Sequence, residues 1–295
     1  MPGQGAKRET QRMYTKYWGL AETPFQSTID PRWFYTGPGR EEAVARSLFL
    51  AESGRRCGVI VGSAGTGKSL LLEKLARTLK RSQREVALVD LLGCTSQEML
   101  WETAAELGLA PGKSASTAAL WRLVHDYFRS NQFARVPTVV LFDHLGRADG
   151  ECATVLQRLL SLTSGAGAGV TFLLAARVAE HSKLWATLGR FSDLRIDLPT
   201  FDRVETGRYV NALLIQAGAM APIFDDSGLE RVFELTAGIP GEVNRLCDLA
   251  LIAAAADGLP NIDESVIDAV AAELQLTPAP VQRLATAGRR VPESY

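Results

Sequence analysis

Short apolar runs alternate with amphipathic segments between about residues 57 and 198. Each run is rich in β-branched and aromatic residues and is short enough for a strand rather than a helix. Strands are therefore predicted at residues 57–62, 86–92, 138–143, 170–176 and 194–198. Strands that alternate with helices are typical of a mostly parallel sheet covered by helices. The pattern predicts an α/β fold with a five-stranded parallel sheet in an αβα sandwich.

The segments between these runs have helical periodicity. Residues 68–79 place leucines on one stripe of a helix. A second helix is predicted to begin at "TSQE", where Thr95 and Glu98 have the spacing of a capping box. A third helix is expected over about residues 115–130, with an apolar face that packs on the sheet. The α/β interpretation therefore rests on helices as well as strands.

The pattern changes after Pro199, where the strands stop and amphipathic helices continue to about residue 274. We predict an α/β domain over residues 14–199 and a helical domain over residues 200–274. The flanking residues 1–13 and 275–295 are poorly patterned, so we expect a loose N-terminal segment and a flexible tail.

Composition narrows the class of protein. Apolar residues make up 46% of the chain and charged residues 22%, as in soluble globular domains. Lys plus Arg number 32 and Asp plus Glu number 33, so net charge does not support a nucleic-acid partner, which would need a local basic patch. No apolar stretch reaches the roughly 18 residues of a membrane span, and no secretory signal is recognisable. With four scattered cysteines that form no C-x-x-C pair, we expect a cytoplasmic protein.

The strongest chemical signal is "GSAGTGKS", which fits G-x-x-x-x-G-K-[ST] between a predicted strand and a predicted helix. Glycines let backbone N–H groups face phosphates, while Lys68 brings a positive charge and the Ser69 hydroxyl can bind Mg²⁺. A glycine-rich structural turn is the alternative interpretation. The residues predicted to contact ATP are Gly62, Ser63, Ala64, Gly65, Thr66, Gly67, Lys68, Ser69 and Leu70.

The run "TVVLFD" ends in Asp143, and this acid would lie beside the metal on a neighbouring strand. Asp143 and Ser69 are the predicted Mg²⁺ ligands, and Asp143 joins Lys68 among the predicted catalytic residues. The alternative for Asp143 is an ordinary helix cap at the end of a strand.

Several motifs together resemble the ExeA/GspA group of AAA+ ATPases, the group of general secretion pathway protein A, which is similar to transposition helper ATPases. They are "YTKYWGLAETPF", "DPRWFYTGPGREEA", "GSAGTGKS", "FDHLGRAD" and "GIPGEVNRLCDLAL". The resemblance spans residues 14–274. It implies an AAA+ P-loop sandwich with a C-terminal helical lid and ATP in the cleft between them. It also implies an ATPase that couples nucleotide state to an unidentified protein partner in secretion or envelope assembly, as a nucleotide-dependent homo-oligomer.

Three positions depart from that family pattern. His144 follows Asp143 where relatives have a glutamate that polarises the attacking water, so His144 is a candidate base that could make hydrolysis slow. Gly241 stands where the lid usually has a γ-phosphate-sensing arginine, and Arg245 lies one helical turn further on. At the end of the fourth predicted strand, where relatives have a polar residue that helps hold the water, this chain has Ala175, Ala176 and Arg177.

Arg190, just before the fifth predicted strand, is a candidate arginine finger by the same resemblance. Such a finger reaches the ATP of a neighbouring subunit, so it requires an oligomer. Three functions remain open at this point: a Mg²⁺-dependent ATPase, a nucleotide-gated binding module that hydrolyses little, and a DNA-associated helper of the transposition type.

Overall fold

Five parallel strands form one sheet in the order β2-β3-β4-β1-β5. The strands are β1 (Cys57–Gly62), β2 (Glu85–Asp90), β3 (Thr138–Asp143), β4 (Val170–Arg177) and β5 (Leu194–Asp197). This computed structural model describes residues 13–26, 28–162, 169–180 and 188–276. The five predicted strands are confirmed: β1 and β3 have the predicted bounds, and the ends of the other three differ by one or two residues. Nearly all of the predicted N-terminal segment and tail lies outside the described residues.

Helices connect the strands and then continue beyond the sheet. Up to β5 they are α1 (Pro38–Glu52), α2 (Lys68–Arg81), α3 (Ser96–Glu106), α4 (Thr117–Ala134) and α5 (Gly150–Leu162). After β5 they are α6 (Arg203–Gln216), α7 (Asp226–Thr236), α8 (Pro240–Ala256) and α9 (Glu264–Glu273). The predicted capping box is confirmed, because Thr95 and Glu98 each accept a backbone N–H from the other.

Helices cover both faces of the sheet, so this part of the chain has three layers. One face packs on α1 and α2, whose buried residues include Leu50 and Leu75. The other face packs on α3, α4 and α5, which contribute Met99, Val124 and Leu156 to the core. Every residue of β1 and β3 is buried, as expected for inner strands of a parallel sheet. The αβα sandwich is therefore observed as predicted.

The strand register determines which side chains meet at the carboxyl edge of the sheet. Gly62 at the end of β1 aligns with Arg177 at the end of β4. Asp143 at the end of β3 aligns with Asp90 at the end of β2. Since β4 lies between β1 and β3, the loop after β1 and the residues after β3 face each other across the end of β4.

The C-terminal helices α6 to α9 share a separate apolar core that also takes in residues from the N-terminal part of the chain. The Tyr14 hydroxyl donates to Asp248 Oδ1 at 2.8 Å, and Trp18 Nε1 donates to the Leu251 carbonyl at 2.9 Å. The predicted boundaries of the two domains stay a prediction, but these N-terminal side chains pack on the helical part. Within the described ranges, a helix with both the length and the apolar character needed to cross a bilayer is absent.

Candidate functional site

The loop between β1 and α2 depends on its glycines for its shape. Gly65 and Gly67 have φ values of 77° and 92°, in the left-handed region that favours glycine. A Cβ at Gly62 would lie 2.8 Å from the Leu198 carbonyl oxygen and 2.6 Å from Thr66 Oγ1. The three glycines of the predicted motif are therefore required by backbone conformation or by close packing.

Lys68 begins α2, and its ammonium group folds over the loop. Nζ donates to the carbonyl oxygens of Gly62 at 2.9 Å and Ser63 at 2.7 Å. Burial lowers the pKa of Lys68, the charge of Asp143 opposes that change, and Arg177 adds to it. The lysine is thus held at the mouth of the loop, within the electrostatic influence of the acid at the end of β3.

Asp143 is buried, with 6% of its surface exposed. Its Oδ1 accepts the backbone N–H of His144 at 2.8 Å. Ser69, the second residue of α2, is half-buried next to Lys68. A hydroxyl and a carboxylate at the edge of the glycine-rich loop are the oxygen ligands that suit Mg²⁺, which typically takes few protein ligands and keeps several waters. The donor set therefore fits the predicted metal.

His144 has left-handed backbone dihedrals, with a φ of 51°. Its Nδ1 lies 2.8 Å from Asp90 Oδ1 and 3.7 Å from Asp143 Oδ2. Asp90 ends β2, which flanks β3 on the side opposite to β4 and β1. The imidazole is therefore bonded on the side of Asp143 that is remote from the glycine-rich loop.

Glu180 brings a second carboxylate to the carboxyl edge of the sheet, after β4. Residues 178–180 form a helical turn directly after β4. Glu180 Oε2 accepts the backbone N–H of Arg177 at 3.1 Å, and its Oε1 lies 4.0 Å from Arg177 Nε. Glu180 also acts on the pKa of Lys68 through its charge, which opposes the lowering by burial.

The helical part contacts the loop through the first turn of α8. Gly241 donates its backbone N–H to the Gly65 carbonyl at 3.0 Å. A Cβ at Gly65 would lie 2.9 Å from Ile239 Cγ2, so the two segments pack closely. Arg245 is exposed one turn further along α8. The position of the expected lid arginine is thus occupied by a glycine whose backbone bonds to the loop.

Arg40 of α1 links the loop to the helical part. Its side chain is buried, Nη2 donates to the Thr66 carbonyl at 3.0 Å, and the guanidinium carbon lies 3.8 Å from the centre of the Phe201 ring. Burial lowers the pKa of Arg40 to about 10, against the opposing charge of Glu205. Burial also raises the pKa of Glu205, whose Oε1 is enclosed without a hydrogen-bond partner.

Arg190 lies in the short 3-10 helix Gly189–Phe191 that precedes β5. Its side chain is exposed, and its guanidinium carbon lies 4.7 Å from the centre of the Phe191 ring. The Phe191 ring is part of the hydrophobic core between the sheet and helices α3, α4 and α5. The arginine is therefore presented on the surface on an anchored segment, and its predicted role stays a prediction.

The structure brings the loop residues, Lys68 and Asp143 together as the sequence motifs predict. Sequence reasoning did not single out Arg40, Asp90 or Glu180 as site residues. Arg40 lies within the quoted motif "DPRWFYTGPGREEA", which was a signal for it. Asp90 lies inside the strand predicted over residues 86–92, and only the structure shows that it ends β2. Glu180 has no comparable local signal, because only the strand order brings it to the site.

Comparison with known families identifies this part of the chain. A family model described as an AAA domain matches residues 51–181. The match begins before the glycine-rich loop and ends after Glu180, so it contains the loop, Asp90, Asp143 and His144. Arg40, Arg190 and the helical part lie outside it. Residues 51–181 therefore resemble an AAA domain.

One curated relative matches over most of the chain. General secretion pathway protein A of Aeromonas hydrophila is 28% identical over 269 residues, which are 89% of this chain and 48% of that protein. The resemblance predicted from the motifs is thereby confirmed. The chain spans about half the length of this relative.

Solved structures share the fold at low sequence identity. A structure of Drosophila ORC bound to DNA has a TM-score of 0.70 at 17% identity and covers 94% of this chain and 68% of that one. The Aeropyrum pernix ORC2 protein in ADPNP and ADP complexes has a TM-score of 0.62 at 15% identity. The match covers 87% of this chain and 72% of that one. These similarities show a shared fold, a parallel αβα sandwich with a helical C-terminal region.

Proposed function

We propose that this chain, which resembles an AAA domain and general secretion pathway protein A, binds ATP with Mg²⁺ and hydrolyses it to ADP and phosphate. One observation carries the proposal. The Lys68 ammonium is held over the glycine-rich loop beside the buried carboxylate of Asp143. A cation, a cradle of backbone N–H groups and an acid at one edge of a parallel sheet are the parts that phosphoryl transfer requires.

The residues have separable roles in this proposal. Backbone N–H groups of residues 62–69 and the N-terminus of α2 would hold the phosphates. Lys68 would leave its two loop carbonyls and contact the β- and γ-phosphates. Ser69 and Asp143 would hold the Mg²⁺ ion, which when bound neutralises the negative charge of the phosphates. Leu70 and the other loop residues would contact the nucleotide through their backbone.

The same contacts suggest how nucleotide state reaches a partner. Gly65 bonds to Gly241 of α8, and Arg40 joins the Thr66 carbonyl to Phe201. Phosphates that enter the loop would alter both links, so the helical part would change its position relative to the sheet. We propose that a protein partner reads this change, and the similarity to a general secretion pathway protein supports a partner in that process.

Equilibrium binding of a fluorescent ATP analogue with Mg²⁺ tests the proposal directly. We expect Lys68→Ala to weaken binding at least tenfold, because the loop then lacks its cation. Lys80→Ala is the matched control, since Lys80 is an exposed lysine at the other end of the same helix. Equal binding by the wild type and Lys68→Ala, or none by the wild type, would refute the proposal.

A nucleotide-gated binding module with little hydrolysis is a second candidate. The orientation of His144 towards Asp90, away from the loop, and the glycine at position 241 favour it. Single-turnover phosphate release separates the two candidates. Tight binding of Mg-ATP without phosphate release on the time scale of hours would support the binding module.

A DNA-associated helper is a third candidate, supported by the structural similarity to ORC proteins, two structures of which are bound to DNA. The formal net charge of −1 gives no general attraction to DNA. Electrophoretic mobility shifts with and without Mg-ATP, repeated across salt concentrations, test it. An ATP-dependent shift that weakens with salt would support this function.

We also propose a nucleotide-dependent homo-oligomer in the cytoplasm. The exposed Arg190 supports the oligomer, because an arginine finger acts on the next subunit. The cysteines support a reducing compartment: all four are free thiols, and burial raises the pKa of Cys57 to about 12 and of Cys152 to about 11. Sedimentation with and without Mg-ATP tests the oligomer.

A further inference from the structure

Glu180 follows the strand that separates Asp143 from the glycine-rich loop. Glu180 follows β4, which separates β3 from β1 at the carboxyl edge of the sheet. Any group at the end of β4 therefore lies between Asp143 and the loop that follows β1. His144, by contrast, bonds to Asp90 at the end of β2 on the far side.

Packing against Gly146 holds Glu180 in this place. A Cβ at Gly146 would lie 2.5 Å from the Glu180 carboxylate carbon and 2.7 Å from its Cβ, so only glycine leaves room for this side chain. The family pattern implies a glutamate at position 144, where this chain has a histidine. Glu180 fills the space above Gly146.

Hydrogen bonding orients the carboxylate. The backbone N–H of Arg177 donates to Glu180 Oε2 at 3.1 Å, while Oε1 is 4.0 Å from Arg177 Nε. The side chain is 20% exposed, so it is largely enclosed but open on one side. Its charge also reaches Lys68, where it favours the protonated form of the lysine.

We propose that Glu180 is the carboxylate that orients the attacking water in this site. The proposal rests on the proposed ATPase function. The water oxygen would form a bond to the γ-phosphorus, and the bond from that phosphorus to the bridging oxygen would break. ADP leaves with that electron pair, and one proton of the water passes to the Glu180 carboxylate.

Two isosteric variants separate Glu180 from His144. Glu180→Gln should keep the Arg177 hydrogen bond and lose the negative charge, so we expect phosphate release in a single turnover to fall about 100-fold or more. For His144→Gln we expect the rate of phosphate release to fall less than threefold. Glu102→Gln, an exposed glutamate on α3, is the matched control and should release phosphate at the wild-type rate.

A binding measurement provides a readout that does not depend on turnover. Mg-ADP with aluminium fluoride mimics the transferred phosphoryl group and its attacking water. We expect Glu180→Gln to bind Mg-ADP within twofold of the wild type and to lose at least tenfold in the additional affinity that aluminium fluoride confers. Thermal unfolding of the nucleotide-free variant within 2 °C of the wild type would exclude misfolding as the cause.

Gly146→Ala tests the packing that positions the carboxylate. Its Cβ would displace Glu180, so this variant should share the slow phosphate release, whereas Gly150→Ala, which has open space around it, should not. Wild-type rates in Glu180→Gln, or a larger loss in His144→Gln, would overturn the proposal. Tight binding of Mg-ATP without phosphate release by the wild type would overturn it and leave ATP binding standing. Absence of Mg-ATP binding would refute the proposed function itself.

Discussion

Gly241 donates its backbone N–H to the carbonyl oxygen of Gly65 at 3.0 Å, which joins the first turn of α8 to the loop after β1. The two residues also pack closely, since a Cβ at Gly241 would lie 3.2 Å from Gly65 Cα. Residues about 176 positions apart in the chain thus form a direct contact between the sheet and the helical part. The loop after β1 and the first turn of α8 have little freedom to move independently while this contact persists.

Gly241→Ala is expected to loosen this contact. The added methyl group forces the loop or α8 to shift by a few tenths of an ångström, because contacts of 3.2 Å are tighter than ordinary van der Waals distances. We expect about a threefold to tenfold change in Mg-ATP affinity, measured by titration calorimetry. Gly207→Ala on α6 is the control, since its Cβ would meet Leu229 at an ordinary 3.6 Å. Unchanged affinity in Gly241→Ala would show that the contact does not matter for binding.

Arg40→Met is expected to destabilise the protein and to weaken ATP binding. It removes the hydrogen bond to the Thr66 carbonyl and the stacking on Phe201, and it leaves the enclosed Glu205 without its nearest opposite charge. A hydrogen bond from a buried charged group is worth about 1.5–3 kcal/mol, so we expect a loss of about 2 kcal/mol in urea unfolding. Mg-ATP should bind at least tenfold more weakly.

Two further variants make the Arg40 test specific. Arg46→Met changes an exposed arginine of the same helix that pairs with Glu42, and it should lower stability by less than about 0.5 kcal/mol. Glu205→Gln in the Arg40→Met background should recover part of the lost stability, because it removes an enclosed charge. If the double variant is less stable than Arg40→Met, the electrostatic explanation is wrong.

Ionisation of Tyr14 is expected to lower the stability of the helical part at alkaline pH. Burial, then the charge of Asp248, raises the pKa of Tyr14 well above its ordinary value of about 10. The folded state thus holds this proton more tightly than the unfolded state. Its contribution to stability is complete below pH 10 and declines above it, by up to about 1.4 kcal/mol per pH unit.

Tyr14→Phe checks the direction of that effect. At pH 8 the variant loses the hydrogen bond to Asp248 and should be less stable by about 1 kcal/mol in urea unfolding. At pH 11 the deficit should shrink or reverse, because the variant has no proton to lose there. Burial also raises the pKa of Tyr209, to about 12. Because Tyr209 is present in both proteins, it lowers the stability of both equally at alkaline pH. An equal deficit at pH 8 and pH 11 would contradict this account.

Local sequence signals predicted the parts of the site that lie next to one another in the chain. The glycines, Lys68 and Ser69 share one loop, and Thr95 and Glu98 share one helix turn, so spacing alone identifies them. Contacts between residues at the ends of neighbouring strands had no such signal in the sequence. Whether His144 turns towards Asp90 depends on which strand lies beside β3, and this follows from the sheet order rather than from residue spacing.

Glu180 is a second residue whose place in the site could not be predicted from the sequence. Its position three residues after β4 is unremarkable in sequence, and its place near Asp143 depends on β4 inserting between β3 and β1. Gly146 is equally uninformative by itself, since a glycine after a strand usually indicates a turn. Their packing against each other is visible only in the structure, where Glu180 fills the space above Gly146.

Arg190 is predicted to complete the active site of a neighbouring subunit. Its side chain is exposed on a segment anchored by Phe191, as a finger in trans requires. Arg190→Ala should bind Mg-ATP as the wild type does and should hydrolyse it at least tenfold more slowly, since such fingers contribute factors of about 10³ or more in other P-loop ATPases. Arg195→Ala, which removes an arginine paired with Asp197 on β5, is the control and should stay near the wild-type rate.

Mixing two inactive variants tests whether Arg190 acts between subunits. Lys68→Ala lacks a functional loop but retains Arg190, and Arg190→Ala lacks the finger but retains the loop. In a mixed oligomer, the arginine of the first variant would serve the nucleotide bound to the second. Steady-state phosphate release by an equimolar mixture should therefore exceed the sum of the separate activities several-fold and should increase with protein concentration. A mixture that is no more active than the two variants measured apart would place Arg190 outside the catalytic reaction.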